Sequence, residues 1–254
     1  MRRLTLLAAL ASLAPALPTA AHAQDFDAVQ IRTERVGDGV WVLFGQGGNI
    51  GVSAGPDGVF LIDDQFAPLT PKILEAVRAL TQESVRFVFN THWHGDHTGG
   101  NENLGRSGAL IVAHENVRRR MSVDQVLARV GRPVDTTRAA PQAALPVVTF
   151  TEDVTFHLNG DELHAFHVED AHTDTDAVVH FRRANVVHMG DTFFRGRFPF
   201  IDTASGGSID GLIAGVGRAL TVMDADTRVI PGHGEVGGRE DLRAYRDALK
   251  TMRD

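Results

Sequence analysis

Cysteine is absent from the 254-residue sequence. That excludes a disulfide framework and a lipid anchor carried on a thiol, so an exported chain of this kind must hold itself by packing and bound metal. A basic surplus is lacking too. The formal net charge is −7, and removing residues 1–23 would take away Arg2 and Arg3 but no acid. A protein tracking nucleic-acid phosphates would show a basic face, so nucleic acid is excluded as a partner and a nuclease is the weakest enzymatic reading. No apolar run is long enough to span a bilayer: residues 4–17 are too few and are broken by Pro15, with Pro18 following. Nor is there a residue-level internal repeat, and nothing sets an oligomeric state.

What stands at the N-terminus is a signal peptide by composition. Arg2-Arg3 makes a basic n-region, residues 4–17 an apolar core, and Ala21-His22-Ala23 a cleavage site. Cleavage is expected after Ala23, with export to a periplasm or beyond and no membrane attachment afterwards. Residues 24–254 then form one domain.

Strand patterns cover residues 29–35, 40–44, 49–54, 59–62, 85–90 and 110–113, with helices over 70–80, capped by Thr70, and 114–130. Residues 131–146, rich in Pro, Ala and Thr, read as a surface linker. Strands follow at 147–150, 154–158, 162–168, 177–181, 186–189 and 228–230, with helices over 208–223 and from Arg239 onward. Each half runs from strands to helices. The fold class this predicts is α/β: two β-then-α halves joined near 131–146 and packed as a four-layer αβ/βα sandwich, rather than a regularly alternating sheet.

The densest chemistry lies in Thr91-His92-Trp93-His94-Gly95-Asp96-His97-Thr98-Gly99-Gly100. Three imidazoles and a carboxylate fall within six residues, and these are groups that zinc accepts. At about 100° per residue, His92 and His94 would point to nearly opposite sides of a helix, so the cluster belongs on a loop. The β-branched and aromatic run 85–90 before it is a buried strand, and open α/β sheets place sites where strands end. Gly95, Gly99 and Gly100 let the backbone fold tightly there.

Three further candidates share that grammar of apolar strand and metal-competent tip: His172, Asp191 and His233. The other histidines carry blander readings. His157, His164, His167, His180 and His188 fit strand faces or packing, and His114 a helix start. Asp174 and Asp176 are either orienters of ligand imidazoles or solvated loop acids.

His92-Trp93-His94-Gly95-Asp96-His97, Ala171-His172-Thr173, Gly190-Asp191-Thr192 and Pro231-Gly232-His233-Gly234, in this order, resemble the motifs of the metallo-β-lactamase superfamily across nearly the whole mature chain. The resemblance implies a dinuclear site at the edge of two facing sheets. By it, His92, His94 and His172 hold one metal, Asp96, His97 and His233 the other, and Asp191 bridges them. Cysteine-containing β-lactamases of the family have a thiolate where this chain has Asp191 and a lysine where it has Phe194, and they lack a histidine at the place of His97. The ligand set is closer to the glyoxalase II and lactonase branches, whereas the run 96–101 and the export signal are reminiscent of the β-lactamases.

Two Zn²⁺ ions would outweigh Asp96, Asp191 and a bridging hydroxide, leaving a positive centre suited to an anionic small-molecule substrate or a developing oxyanion. The expected reaction is attack by that metal-bridging hydroxide on a small amide, lactone or thioester, with Asp96 as the catalytic carboxylate and weak β-lactamase activity. Trp93, Phe194, Arg195 and Arg197 are the candidate substrate contacts. Iron is the alternative metal, in a sulfur dioxygenase or oxidoreductase relative. A non-catalytic periplasmic zinc-binding protein is the alternative outside enzymes.

Overall fold

The computed structural model describes residues 25–127 and 135–254. The expected signal peptide, residues 1–23, lies outside them. The first half contains β1 (Arg32–Gly37), β2 (Val40–Phe44), β3 (Ile50–Gly55), β4 (Gly58–Ile62), α1 (Thr70–Leu80) and β5 (Val85–Asn90). It continues through α2 (Gly95–Thr98), α3 (Asn101–Arg106), β6 (Leu110–His114), α4 (Glu115–Met121), β7 (Gln125–Leu127) and β8 (Asp135–Thr137). Then come β9 (Val148–Phe150), β10 (Asp153–Leu158), β11 (Asp161–His167), β12 (Ala177–Phe181), β13 (Val186–His188), α5 (Ile209–Thr221), β14 (Arg228–Ile230), β15 (Gly237–Gly238) and α6 (Arg239–Arg253).

One sheet orders its strands β1-β2-β3-β4-β5-β6-β9, the other β10-β11-β12-β13-β14-β15. Side chains on a strand alternate between faces, and here both faces find apolar partners. On β4, Phe60 and Ile62 point between the sheets with Phe89 and Val112, against Ala177, Val179 and Phe181 of β12. Leu61 points the other way, onto Ile73, Val77 and Leu104 of α1 and α3. Val178 likewise turns from the sheet interface toward Leu212, Val216 and Leu242 of α5 and α6. Two outer helical layers and two inner sheets make the four-layer αβ/βα sandwich. Strands covered on both faces read as continuous apolar runs, which is why β3 and β4 show no polar alternation. β10, at the edge of its sheet, alternates exposed and partly buried residues.

Four local expectations shift. The first strand begins at Arg32 rather than Val29, because Lys72 Nζ donates to the carbonyls of Phe26, Asp27 and Val29 and holds that stretch off the sheet. Thr70 is the first residue of α1 and does not cap it; its hydroxyl accepts from Asn103 Nδ2 instead. The helix expected over 114–130 stops at Met121, where Ser122 folds back onto the Arg118 carbonyl, and Gln125–Leu127 pairs with Asp135–Thr137 as a hairpin. Residues 128–134 lie outside the described chain. Of the expected linker, Ala144 and Leu145 are buried against Trp93, Val117 and Met121, and Asn101 donates to the Ala144 carbonyl.

Phe60 is fully buried between the sheets, its ring 4.9 Å from that of Phe156 and 5.9 Å from that of Phe87. Phe60→Ala is therefore expected to cost about 3–5 kcal/mol in urea unfolding of the metal-free protein. A loss below about 1 kcal/mol would show that the sheets do not meet there.

Candidate metal centre

The loops that matter all leave the C-terminal ends of strands. β4 ends in Asp63-Asp64-Gln65, all buried, with Asp63 and Gln65 in the left-handed region (φ 63° and 56°). That backbone turns three polar side chains back under the neighbouring loop. Asp63 accepts from the Thr91 amide (2.8 Å), the Thr91 hydroxyl (2.7 Å) and His97 Nδ1 (2.7 Å). Asp64 accepts from the Gly100 amide, and Gln65 donates to the Gly48 carbonyl. The loop after β5 folds over these anchors into the single-turn α2, with His94 at its N-cap and Asp96 and His97 within it. Gly95 has open space around it, so its expected role in tight folding is not sterically demanded.

His172 lies between β11 and β12, Asp191 follows β13, and His233 follows β14. A side chain at Gly232 would overlap the Asp191 carboxylate, and one at Gly48 the His97 ring. These two positions need glycine because functional groups occupy the space beside them. The β2–β3 turn is itself pinned, since the Gly48 amide donates to the Asp96 carbonyl and Asn49 Nδ2 to the carbonyls of Pro231 and Gly234.

All seven residues singled out as ligands meet in two adjoining clusters. One is His92, His94, His172 and Asp191; the other is Asp96, His97 and His233, with the donor atoms of each within 4.8 Å of one another. Asp191 Oδ2 faces His172 Nε2 (3.6 Å) and His92 Nε2 (3.9 Å). Its Oδ1 faces His97 Nε2 (3.1 Å) and His233 Nε2 (3.4 Å), and Asp96 Oδ2 lies 3.3 Å from His233 Nε2. Three of these atoms, His92 Nε2, His97 Nε2 and Asp191 Oδ1, are buried without a hydrogen-bond partner. Leaving such groups unsatisfied costs about 1–3 kcal/mol each, and a divalent cation would satisfy all three. The donor set therefore fits metal.

Charge supports that fit. Burial, reinforced by the charge of His97, holds His92 well below its ordinary value, and burial pushes His172 down to about 4, so both stay neutral donors. Burial opposes charge on His97 and His233 as well, but Asp191, Asp96 and Asp63 outweigh it for His97, and Asp191 and Asp96 lift His233 to about 9. Burial would raise Asp96 and Asp191, yet the neighbouring imidazoles bring Asp96 to about 2 and Asp191 well below the carboxylate range.

Neither Asp174 nor Asp176 orients an imidazole through its side chain. Asp174 is paired bidentately with Arg120, and Asp176 accepts from the Thr173 amide and hydroxyl within its own turn. The imidazoles are oriented by groups the sequence pattern does not mark: Asp63 on His97, Asp202 on His94 and the Phe200 carbonyl on His172 Nδ1.

Trp93 packs among Ala113, Val117 and Met121, its ring 5.1 Å from that of His94, stiffening the loop. Phe194 backs His233, its ring nearly parallel at 5.5 Å. Arg195 turns toward α6, donating to the Val236 carbonyl and pairing with Asp241, while Arg197 is exposed. A cavity of about 710 Å³ lies between this segment and α6, and none of the seven clustered residues lines it. His114 caps α4 and stacks on His167 at 3.8 Å, and His157 is exposed.

A family model described as the metallo-beta-lactamase superfamily matches residues 43–254. A hydroxyacylglutathione hydrolase of Erythrobacter litoralis is 28% identical over 112 residues, 44% of this chain and 35% of the relative. A type 2 metallo-beta-lactamase of Bacteroides fragilis is 26% identical over 151 residues, 59% of this chain and 53% of the relative. The matches thus span about a third to a half of these curated relatives. A metallo-beta-lactamase from Pontibacter korlensis superposes with a TM-score of 0.69 at 20% identity, covering 87% of this chain and 99% of that one. The DIM-1 metallo-beta-lactamase superposes at 0.68 with 18% identity, covering 88% and 99%.

His188 tests how the buried frame responds to pH. It is fully buried, its Nε2 donating to the Asn49 carbonyl and its Nδ1 accepting from the Gly190 amide, and burial pushes it down to about 4. Between its ordinary value of 6.5 and about 4, the unfolded chain takes up a proton at this ring that the folded chain refuses, so stability falls as pH falls. His188→Gln, which keeps a donor for Asn49, lacks that loss. The stability advantage of the wild type over His188→Gln should shrink by up to about 3 kcal/mol between pH 7 and pH 4 in denaturant melts of the metal-free proteins. A pH-independent difference would contradict a neutral, buried His188.

Proposed function

The chain belongs to the metallo-beta-lactamase superfamily, and from that footing we propose that it is an exported hydrolase that holds two zinc ions and opens small amide, lactone or thioester substrates of anionic character. The observation that carries the reading is the placement of Asp191, whose two oxygens face two separate sets of buried imidazoles. His92, His94 and His172 would hold the first ion, Asp96, His97 and His233 the second, and Asp191 both. Bound zinc would supply Lewis acidity toward a carbonyl oxygen and a water whose pKa is lowered to about 7.

The rest is done by the chain. Asp96 has the most exposed side chain of the four residues around the second site, at 29% against 0% for His97, 5% for Asp191 and 12% for His233. It is the group placed to meet an incoming water, and we assign it to orienting that water and taking its proton. Phe194 and Phe200 flank His233 and His172 with rings, giving the mouth of the centre apolar walls. Phe194 offers no charge to a β-lactam carboxylate. Together with Asp191 and His97 this supports lactone or thioester turnover ahead of β-lactam turnover, with weak β-lactamase activity alongside. The hydroxyacylglutathione hydrolase relatives favour the thioester. Export rests on Arg2-Arg3, the apolar run 4–17 and Ala21-His22-Ala23.

The test begins with metal analysis of the mature protein, which separates zinc from iron, and continues with a chromogenic cephalosporin, a γ-lactone and an acylated thiol. Turnover of at least one should disappear on chelation and return with zinc. Asp96→Asn should lower kcat/KM by about 10²-fold or more at matched metal content. A protein that binds two zinc ions yet turns over none of the three would leave the non-catalytic zinc-binding reading in its place.

A further inference from the structure

The helix that closes the chain carries two apolar stripes, and the core uses only one of them. On α6, Leu242, Tyr245 and Leu249 pack with Val216 and Val229. Ala244, Ala248 and Met252 fall at i, i+4 and i+8, one face of a helix, and all three are exposed. Facing them is Phe198, 83% exposed, more than any other large apolar side chain among the described residues. Between these surfaces lies the cavity of about 710 Å³, which Phe194 also lines. The two alanines are small enough to leave it open. A hollow of this size, walled by rings and alkyl groups, suits a small organic molecule.

We propose that this cavity is a second ligand site, apart from the metal centre, and that it takes a medium-chain carboxylic acid. Charge selects the head group. The charged side chains lining the cavity are Arg195, Arg197 and Asp241. Arg195 is committed, donating to the Val236 carbonyl and pairing with Asp241 at 3.2 Å. Arg197 is exposed and pairs with no acid among the described residues. One uncommitted guanidinium, whose parallel N–H groups match the two oxygens of a carboxylate, favours a monoanion. Tyr245 adds a donor to the wall. Its hydroxyl is buried without a well-formed hydrogen bond, and burial raises it above the ordinary phenol value, which keeps the proton on oxygen. The other walls are apolar, so the rest of the ligand must be apolar too.

The site is complete without metal, since none of the seven clustered residues lines it. Phe194 is the wall between the two. It lines the cavity, and its ring lies nearly parallel to that of His233 at 5.5 Å. The Arg195 amide donates to the His233 carbonyl at 3.0 Å, so the same segment touches both places. An occupant would rest against a ring that supports His233 while its own head group stays with Arg197. Binding rather than turnover defines the site, and it stands or falls independently of the hydrolase reading.

The test is calorimetric titration of decanoate, decanol and inorganic phosphate into the mature protein, both zinc-loaded and chelator-treated, with methyl NMR to locate the ligand. A single decanoate should bind per chain, with an affinity that chelation changes by less than about twofold. The methyl resonances of Ala244, Ala248 and Met252 should shift. From hexanoate to decanoate, each methylene should tighten binding about three- to fourfold. Decanol should bind about tenfold more weakly than decanoate, and phosphate should not bind. Arg197→Ala should bring decanoate down to the level of decanol. Ala248→Trp, at an exposed helical position, should fill the cavity and abolish binding. No binding of decanoate, or equal binding by wild type and Arg197→Ala, overturns the proposal. So does uptake lost on chelation, which would put the carboxylate on the metal. Several ligands per chain, indifferent to Ala248→Trp, would mean adsorption to the surface and overturn it as well. Self-association abolished by Phe198→Ser, with no decanoate bound, would give the face to a second copy instead.

Discussion

The loop that carries four of the seven clustered residues is anchored by one buried carboxylate that is not among them. Asp63 closes β4 and takes hydrogen bonds from the amide and hydroxyl of Thr91 and from His97 Nδ1. Those bonds fix where the β5 loop starts and which nitrogen of His97 faces Asp191. A carboxylate buried this deeply is tolerated only when its lone pairs are used, and here each oxygen finds a donor in the adjacent loop. The left-handed backbone at Asp63 and Gln65 serves the same end, aiming side chains under the loop instead of into the sheet. The β5 loop and its His97 are held from below by a strand end that contributes no ligand.

The same division explains what could be read in the sequence. The seven clustered residues were legible because each stands at the tip of an apolar strand, and strands of this kind converge at one edge of facing sheets. The four layers were legible because each half of the chain runs from strands to helices. Asp63 and Asp202 were not, since a lone acid after a strand or in a loop has the composition of any solvated turn; only the fold reveals that they touch imidazoles. Asp174 and Asp176 mislead for the converse reason. They sit beside His172 in sequence, but the turn directs one to Arg120 and the other to Thr173. The α4 boundary was missed because helical periodicity carries through Met121 and nothing in residues 122–124 interrupts it as a proline would.

The electrostatics of the two clusters differ in kind. Around His92 and His172, burial dominates and the rings stay neutral. Around His97 and His233, nearby carboxylates outweigh burial and raise both rings above their ordinary value.

The clustered residues also come from both sheets. The β5 loop belongs to one, the loops after β11, β13 and β14 to the other. Ions held between them would act as covalent bridges do in other proteins, joining two halves of a chain that has no thiol with which to do so. Such a bridge opens without any redox step. Its strength would track free metal through mass action, so scarcity of the metal would loosen the sandwich along its central seam, between the very faces on which the hydrophobic core is built.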